Sequence, residues 1–232
     1  MSRSWSCSLA ALALALTGAA CGGEEKQDPA AGSATQSSTS GPSSVPGCEP
    51  VQAPAPKPDG ERQPPRRRLE ADGSYRATVT TNCGDFEIEV DVKAAPRTAA
   101  SFVALAGDGF FEQTVFHRIV PGFVIQGGDP TGTGMGGPGY KTVDRPPRGA
   151  QYTKGVVAMA KAGDERPGTA GSQFFVVTAP DAGLPPDYAL LGEVRDGLDV
   201  VDRIAQLGDP ASGQAGTPLE PVVVEKVAVS GP

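Results

Sequence analysis

From residue 75 the chain alternates. Tyr75, Ala77 and Val79 are apolar between polar neighbours. After Asn82-Cys83-Gly84 the alternation resumes as Phe86, Ile88, Val90 and Val92 against Glu87, Glu89 and Asp91. Period two broken by a glycine turn predicts an antiparallel hairpin. Pro96 then opens a stretch in which Ala99, Phe102, Val103, Leu105 and Ala106 fall on one helical face, ended by Gly107 and Gly109. Short apolar runs at Val115–Ile119, Phe123–Gln126, Val156–Ala160, Phe174–Thr178, Leu190–Val194 and Val222–Val229 read as strands. Leu198–Leu207 reads as a second helix, with Leu198, Val201, Ile204 and Ala205 on one side. Many short strands, few helices and Gly/Pro turns predict a mainly β, nearly or fully closed antiparallel barrel. Residues 128–154 are dense in Gly and Pro with little periodicity, which predicts a long loop of the kind that often carries function.

Upstream of the alternation the composition changes twice. Arg3 precedes an Ala/Leu run, Leu9–Leu16, and the small residues Gly18-Ala19-Ala20 lead to Cys21. That run is too short to span a bilayer and reads as an export signal over residues 1–20. The small-small-Cys ending resembles a bacterial lipobox, which makes Cys21 the expected lipid attachment; simple secretion is the alternative. Either way the domain is expected outside the cytoplasm, touching the membrane only through such an anchor. Residues 21–70 are rich in Ala, Ser, Gly and Pro with few large apolar residues. Such a stretch buries too little to offset its ordering entropy, so it reads as a disordered tether with a reach of about 40 Å. The domain is then 71–232.

The 232 residues carry a formal charge of −7. An acidic balance argues against nucleic acid as a partner, and the Arg66-Arg67-Arg68 run beside Pro64-Pro65 reads as a solvated segment. Of the four cysteines, Cys7 lies in the signal and Cys21 is the lipid candidate. Cys48 and Cys83 remain, and an oxidising destination makes a disulfide between them an expectation. Two cysteines and a single histidine, His117, give no metal-ligand spacing, so no metal or cofactor is expected. Gly134-x-Gly136-x-x-Gly139 satisfies a dinucleotide pattern but is followed by prolines rather than an amphipathic helix, so it is set aside.

The most informative stretches are FHRIVPGFVIQGGDPTGTG, residues 116–134, and GVVAMAKAGDERPGTAGSQFFVVT, residues 155–178. Together they resemble the cyclophilin family of peptidyl-prolyl isomerases, over about residues 76–229. The resemblance implies an eight-stranded antiparallel closed β-barrel capped by two α-helices. It implies rotation of X–Pro bonds in proline-containing polypeptides without cofactor; the sequence carries no sign of oligomeric state, and a monomer is the default expectation. It assigns Arg118, Gln126 and Phe123 to catalysis. It assigns Val124, Met159, Ala160, Lys161, Ala162, Gln173, Phe175, Leu184 and Tyr188 to substrate binding, and makes His117 structural. This chain departs from the common pattern: Val124 stands where Met is usual, Lys161 where Asn is usual, and Tyr188 where His is usual. Gly183 stands where members that bind cyclosporin strongly carry Trp, so weak cyclosporin binding is expected.

The chemistry agrees with that assignment. Amide resonance sets a rotation barrier of ~18–20 kcal/mol. In the twisted transition state the lone pair returns to the proline nitrogen, so a cationic donor there favours the twisted form over the planar one. Arg118, permanently charged and forked, suits that task. A proline-binding or chaperone module with little turnover is the alternative reading.

Overall fold

The computed structural model describes residues 45–232; the signal segment and Cys21 lie outside the described residues. Eleven strands form: β1 Tyr75–Thr81, β2 Gly84–Val90, β3 Thr114–Val115, β4 Arg118–Val120, β5 Val124–Gly127, β6 Thr142–Val143, β7 Val156–Met159, β8 Thr169–Ala170, β9 Phe174–Val177, β10 Leu190–Asp196 and β11 Val223–Ser230. The helices are α1 Pro96–Gly107 and α2 Leu198–Ala205, with a short 3-10 helix at Pro210–Ala215. The hairpin and both helices stand where the periodicity puts them.

The main sheet has nine strands in the order β3-β11-β1-β2-β10-β7-β9-β5-β4, and β6 pairs with β8 separately. All the ladders are antiparallel. The architecture is therefore mainly β as expected, but it differs from an eight-stranded barrel closed by hydrogen bonds. The apolar run expected to form one strand over Val115–Ile119 is two strands, and these are the two edges of the sheet. Only Phe116 and His117 separate β3 from β4, so the chain itself brings the edges together. Phe116 turns inward there, 1 % exposed, and its N–H donates to the Val222 carbonyl at 2.9 Å. The outer side of β4 is covered by the segment after the 3-10 helix, where the Ile119 N–H donates to the Gly216 carbonyl at 2.7 Å.

Strand alternation sorts the buried residues into two clusters. Ile125, Val157, Met159, Phe174 and Val176 join the main core, which includes residues of β1, β2, α1, α2 and β11. Val124, Ala158, Phe175 and Val177 point the other way into a smaller cluster with Tyr152 and Ala179. Phe174-Phe175-Val176-Val177 is a continuous apolar run because both of its faces are covered. Edge-on aromatic contacts tie the main core together: Phe174 meets Phe102, Phe111 and Phe116 at ring separations of 5.9, 6.0 and 6.0 Å.

α1 lacks a local cap, since Ala95 precedes it. Its first N–H groups are satisfied from the long loop instead: Arg97 and Thr98 both donate to Asp144 Oδ2, at 2.9 and 2.7 Å. α2 starts at Gly197, whose φ is +73°. A Cβ there would sit 2.4 Å from the Asp85 carbonyl oxygen, so only glycine permits this approach.

The expected tether over 21–70 is corrected in its second half. Residues 45–70 run along the domain, with Val45 and Cys48 buried in the main core. The sulfurs of Cys48 and Cys83 are bonded. The Glu49 N–H donates to the Asn82 carbonyl at 2.7 Å, and Asn82 Nδ2 donates back to the Glu49 carbonyl at 2.7 Å. A covalent link and backbone hydrogen bonds supply here what the composition lacks in apolar side chains.

Candidate active site

The smaller cluster opens onto a cavity of about 330 Å³ lined by Arg118, Phe123, Val124, Gln126, Ala160, Lys161, Phe175, Leu184 and Tyr188. Sheet register assembles it. Arg118 pairs with Gln126, Gln126 with Phe175, and Phe175 with Ala158, so four neighbouring strands put these residues in one row on one face. Val124 and Val177 form the next row. Phe123 follows the β4–β5 turn, where Gly122 takes φ +67°.

Polar groups occupy one side of the row. Arg118 Nε donates to the Gln214 carbonyl at 3.0 Å, Nη2 to Gln214 Oε1 at 3.3 Å, and Nη1 to Gln126 Oε1 at 3.3 Å. The second N–H of each terminal nitrogen has no acceptor among the described residues. The guanidinium carbon lies 5.8 Å from the Phe123 ring centre. Burial lowers the Arg118 pKa from its ordinary value and Tyr188 opposes the shift, but guanidinium stays charged at neutral pH.

Gln126 Nε2 donates to Gln173 Oε1 at 3.0 Å. Gln173 Nε2 donates to the Gly134 and Gly136 carbonyls, both at 2.9 Å. The chain of amides has one consistent orientation. Two carbonyls accept only from a nitrogen, which turns the Gln173 oxygen to Gln126, and so the Gln126 oxygen to Arg118. The carbonyls are themselves held by Asp129, 0 % exposed, which accepts from the N–H groups of Thr131, Gly134 and Gly136 and from the Thr131 hydroxyl. Burial works to raise the Asp129 pKa, but these hydrogen bonds outweigh it and hold the carboxyl below its usual range. The first two glycines of the dinucleotide-like pattern, Gly134 and Gly136, thus spend their N–H groups on an internal carboxylate.

The apolar side is buttressed by Tyr152. Its hydroxyl donates to the Tyr188 carbonyl at 2.7 Å and accepts from the Tyr188 N–H at 3.0 Å. Burial is the main cause that pushes its pKa up to about 12, so the hydroxyl keeps its proton. The Phe175 and Tyr188 rings meet edge-on at 5.4 Å. The Lys161 ammonium turns back to the carbonyls of Ala162 and Glu165, at 3.2 and 3.0 Å, and lies 5.6 Å from the Tyr188 ring centre.

One assignment changes. Met159 does not reach the cavity: it is 1 % exposed and packs in the main core, because the residues on either side, Ala158 and Ala160, take the groove face of β7 and its extension. Ala162 and Gln173 line an adjoining cavity of about 260 Å³ with Gln126, Gly134 and Gly136. Gln214 and Tyr152 were not among the expected site residues. Gln214 sits in a Gly/Ser-rich segment without periodicity, and Tyr152 is one of two tyrosines, with Tyr140, in the Gly/Pro-dense loop, where nothing in the sequence singles it out. His117, beside Arg118, does not line the cavity, and both of its ring nitrogens are buried without a hydrogen-bond partner among the described residues. Burial chiefly lowers its pKa, Asp129 opposes this and Arg118 adds to it.

Comparison with known proteins agrees with this geometry. Residues 76–229 match the family model "Cyclophilin type peptidyl-prolyl cis-trans isomerase/CLD". Peptidyl-prolyl cis-trans isomerase B of Streptomyces anulatus is 43 % identical over 171 residues, covering 66 % of this chain and 95 % of that protein. Peptidyl-prolyl cis-trans isomerase A of Mycobacterium tuberculosis is 40 % identical over 172 residues, covering 66 % and 91 %. A cyclophilin type isomerase of Cryptosporidium parvum, whose crystal structure was determined in the presence of the dipeptide Ala-Pro, superposes with a TM-score of 0.60 at 30 % identity, covering 67 % of this chain and 98 % of that one. With its row of Arg118, Gln126 and Phe175 over one apolar cavity, this chain belongs to the cyclophilin-type peptidyl-prolyl cis-trans isomerases.

Proposed function

We propose that this isomerase works outside the cytoplasm, as a monomer, on X–Pro bonds of exported polypeptides, and that it does so without covalent chemistry. The proline ring occupies the apolar pocket of Phe123, Val124, Phe175, Leu184 and Tyr188. Gln126 and the Ala160–Lys161 backbone hold the flanking peptide. The free N–H groups of Arg118 face the imide nitrogen and gain strength as its lone pair localises, which is the differential binding that lowers a barrier. Lowering it by about 7 kcal/mol speeds rotation about 10⁵-fold. No nucleophile, metal or proton transfer enters.

The observation that carries this reading is a forked cation with unspent donors, fixed on one wall of a cavity whose other wall is Phe123, Val124, Phe175 and Leu184. The export part rests on Arg3, the Leu9–Leu16 run and Cys21. NMR exchange spectroscopy of a short X–Pro peptide tests the activity: enhanced cis–trans exchange at substoichiometric protein is expected. Binding without exchange enhancement would instead identify a proline-peptide binding module. Mass spectrometry of the mature N-terminus tests the export part: a lipid mass on Cys21 is expected, and an intact residue 1 would contradict it.

A further inference from the structure

The family match starts at residue 76, yet residues 57–62 touch the loop that underlies the substrate groove. The Lys57 N–H donates to the Pro130 carbonyl at 2.9 Å, the Gly60 N–H to Gly137 at 2.9 Å, and the Arg62 N–H to Pro138 at 2.8 Å. The Gly137 N–H donates back to Asp59 Oδ1 at 2.9 Å. The two backbones meet closely. A Cβ on Gly60 would lie 3.0 Å from the Gly137 oxygen, and one on Gly139 would lie 2.2 Å from the Gly60 oxygen. Lys57 Nζ donates to the Phe110 carbonyl at 3.1 Å, and Arg62 pairs with Asp108 at 2.9 Å. The Cys48–Cys83 bond holds the segment upstream.

The other face of the same loop holds the catalytic row. The Gly134 and Gly136 carbonyls orient Gln173, which orients Gln126, which orients Arg118. The loop is a thin wall: Met135, Gly136 and Lys141 line both the cavity beside Gln173 and a second cavity, of about 260 Å³, bounded by Asp59 and Gly60.

We propose that residues 57–62 are a working part of the active site, with Asp59 as a positioning residue that holds Gly137 and so keeps the Gly134 and Gly136 carbonyls in place for Gln173. Asp59 touches no substrate in this scheme. Its influence on turnover rests on the proposed role of Arg118, whereas its influence on Gln173 does not.

The test uses the full chain, isotopically labelled, as wild type, Asp59→Ala and Asp59→Asn. It reads the Gln173 side-chain amide signals together with kcat and KM for an X–Pro peptide. Asp59→Ala should shift the Gln173 amide signals, speed their solvent exchange and lower kcat about five-fold, the effect of one ordinary hydrogen bond. Asp59→Asn keeps an acceptor oxygen and should restore both. Asp59 is exposed, so both variants should fold. Gly60→Ala, which sets a methyl against the Gly137 oxygen, should reproduce the Asp59→Ala signature. Unchanged Gln173 signals in Asp59→Ala and Gly60→Ala would overturn the proposal, as would Asp59→Asn matching Asp59→Ala. An inactive wild type would remove the isomerase reading while the Gln173 signals still decide this one.

Discussion

Gln126 accepts a hydrogen bond from Arg118 at 3.3 Å, so its amide oxygen faces the guanidinium and its nitrogen faces Gln173. The orientation is set further along the relay, where Gln173 meets two backbone carbonyls. On the proposed role of Arg118, catalytic geometry depends on a relay of neutral amides that ends in a glycine-rich loop, not only on the charged residue at its head.

The relay makes Gln173 more consequential than its place at the groove's edge suggests. Gln173→Ala should free Gln126 to rotate and lower kcat/KM about five- to ten-fold, the scale of one or two ordinary hydrogen bonds, with little change in melting temperature. Gln173→Glu should be worse, because a carboxylate offers no donor to the Gly134 and Gly136 carbonyls and sets negative charge against them. Steady-state kinetics on an X–Pro peptide checks this; a Glu variant more active than the Ala variant would contradict it.

Much of this site is legible in the sequence. Arg118, Phe123, Gln126 and Phe175 lie in apolar or mixed runs short enough to be strands, and antiparallel register makes them neighbours. Met159 shows the limit of motif reading: its position in a functional stretch says nothing about which face of β7 it takes, and alternation sends it to the core. Gln214 is illegible because its contact with Arg118 spans 96 positions of chain and comes from an aperiodic segment. The division of the strands is illegible for a related reason. Val115–Ile119 reads as one strand, and only the inward turn of Phe116 divides it between two sheet edges. Residues 45–70 read as a tether because composition reports apolar burial, while what holds them is mostly a disulfide, backbone hydrogen bonds and the polar side chains of Lys57, Asp59 and Arg62.

Acid should weaken the fold through His117 before it reaches the carboxylates. Burial holds the His117 pKa below the usual 6.5, so below pH 6.5 the unfolded chain takes up a proton that the folded chain refuses. Stability is then full above that pH and falls as pH drops toward the folded value. Asp129, also held low, adds its loss further down, below its usual 3.8. His117 is the chain's one histidine, so urea midpoints at about pH 7.5 and 5.5, on either side of the ordinary imidazole value, isolate it. The wild type should lose stability between these pH values and His117→Leu should lose less; equal losses would contradict the assignment.

Cyclosporin should inhibit weakly. Gly183 has open space around its Cα, with nothing within 4 Å of the point where a Cβ would stand, but its φ is +62°. Gly183→Trp would meet no neighbour at its Cβ while forcing a left-handed backbone that costs ~1–2 kcal/mol. The variant should gain drug sensitivity and melt at a lower temperature than wild type. Nanomolar inhibition of the unaltered protein in the peptide assay would contradict this reading.

The central claim is that the Arg118 guanidinium stabilises the twisted imide. Its most direct measurement is the cis–trans exchange rate of an X–Pro peptide with wild type and Arg118→Ala, alongside peptide affinity and the backbone amide spectrum. Loss of one preorganised transition-state donor lowers turnover by about 10²–10³. The account predicts a fall of that order with the fold intact and peptide affinity little changed. An Arg118→Ala protein that folds, binds the peptide and exchanges it at the wild-type rate would contradict it.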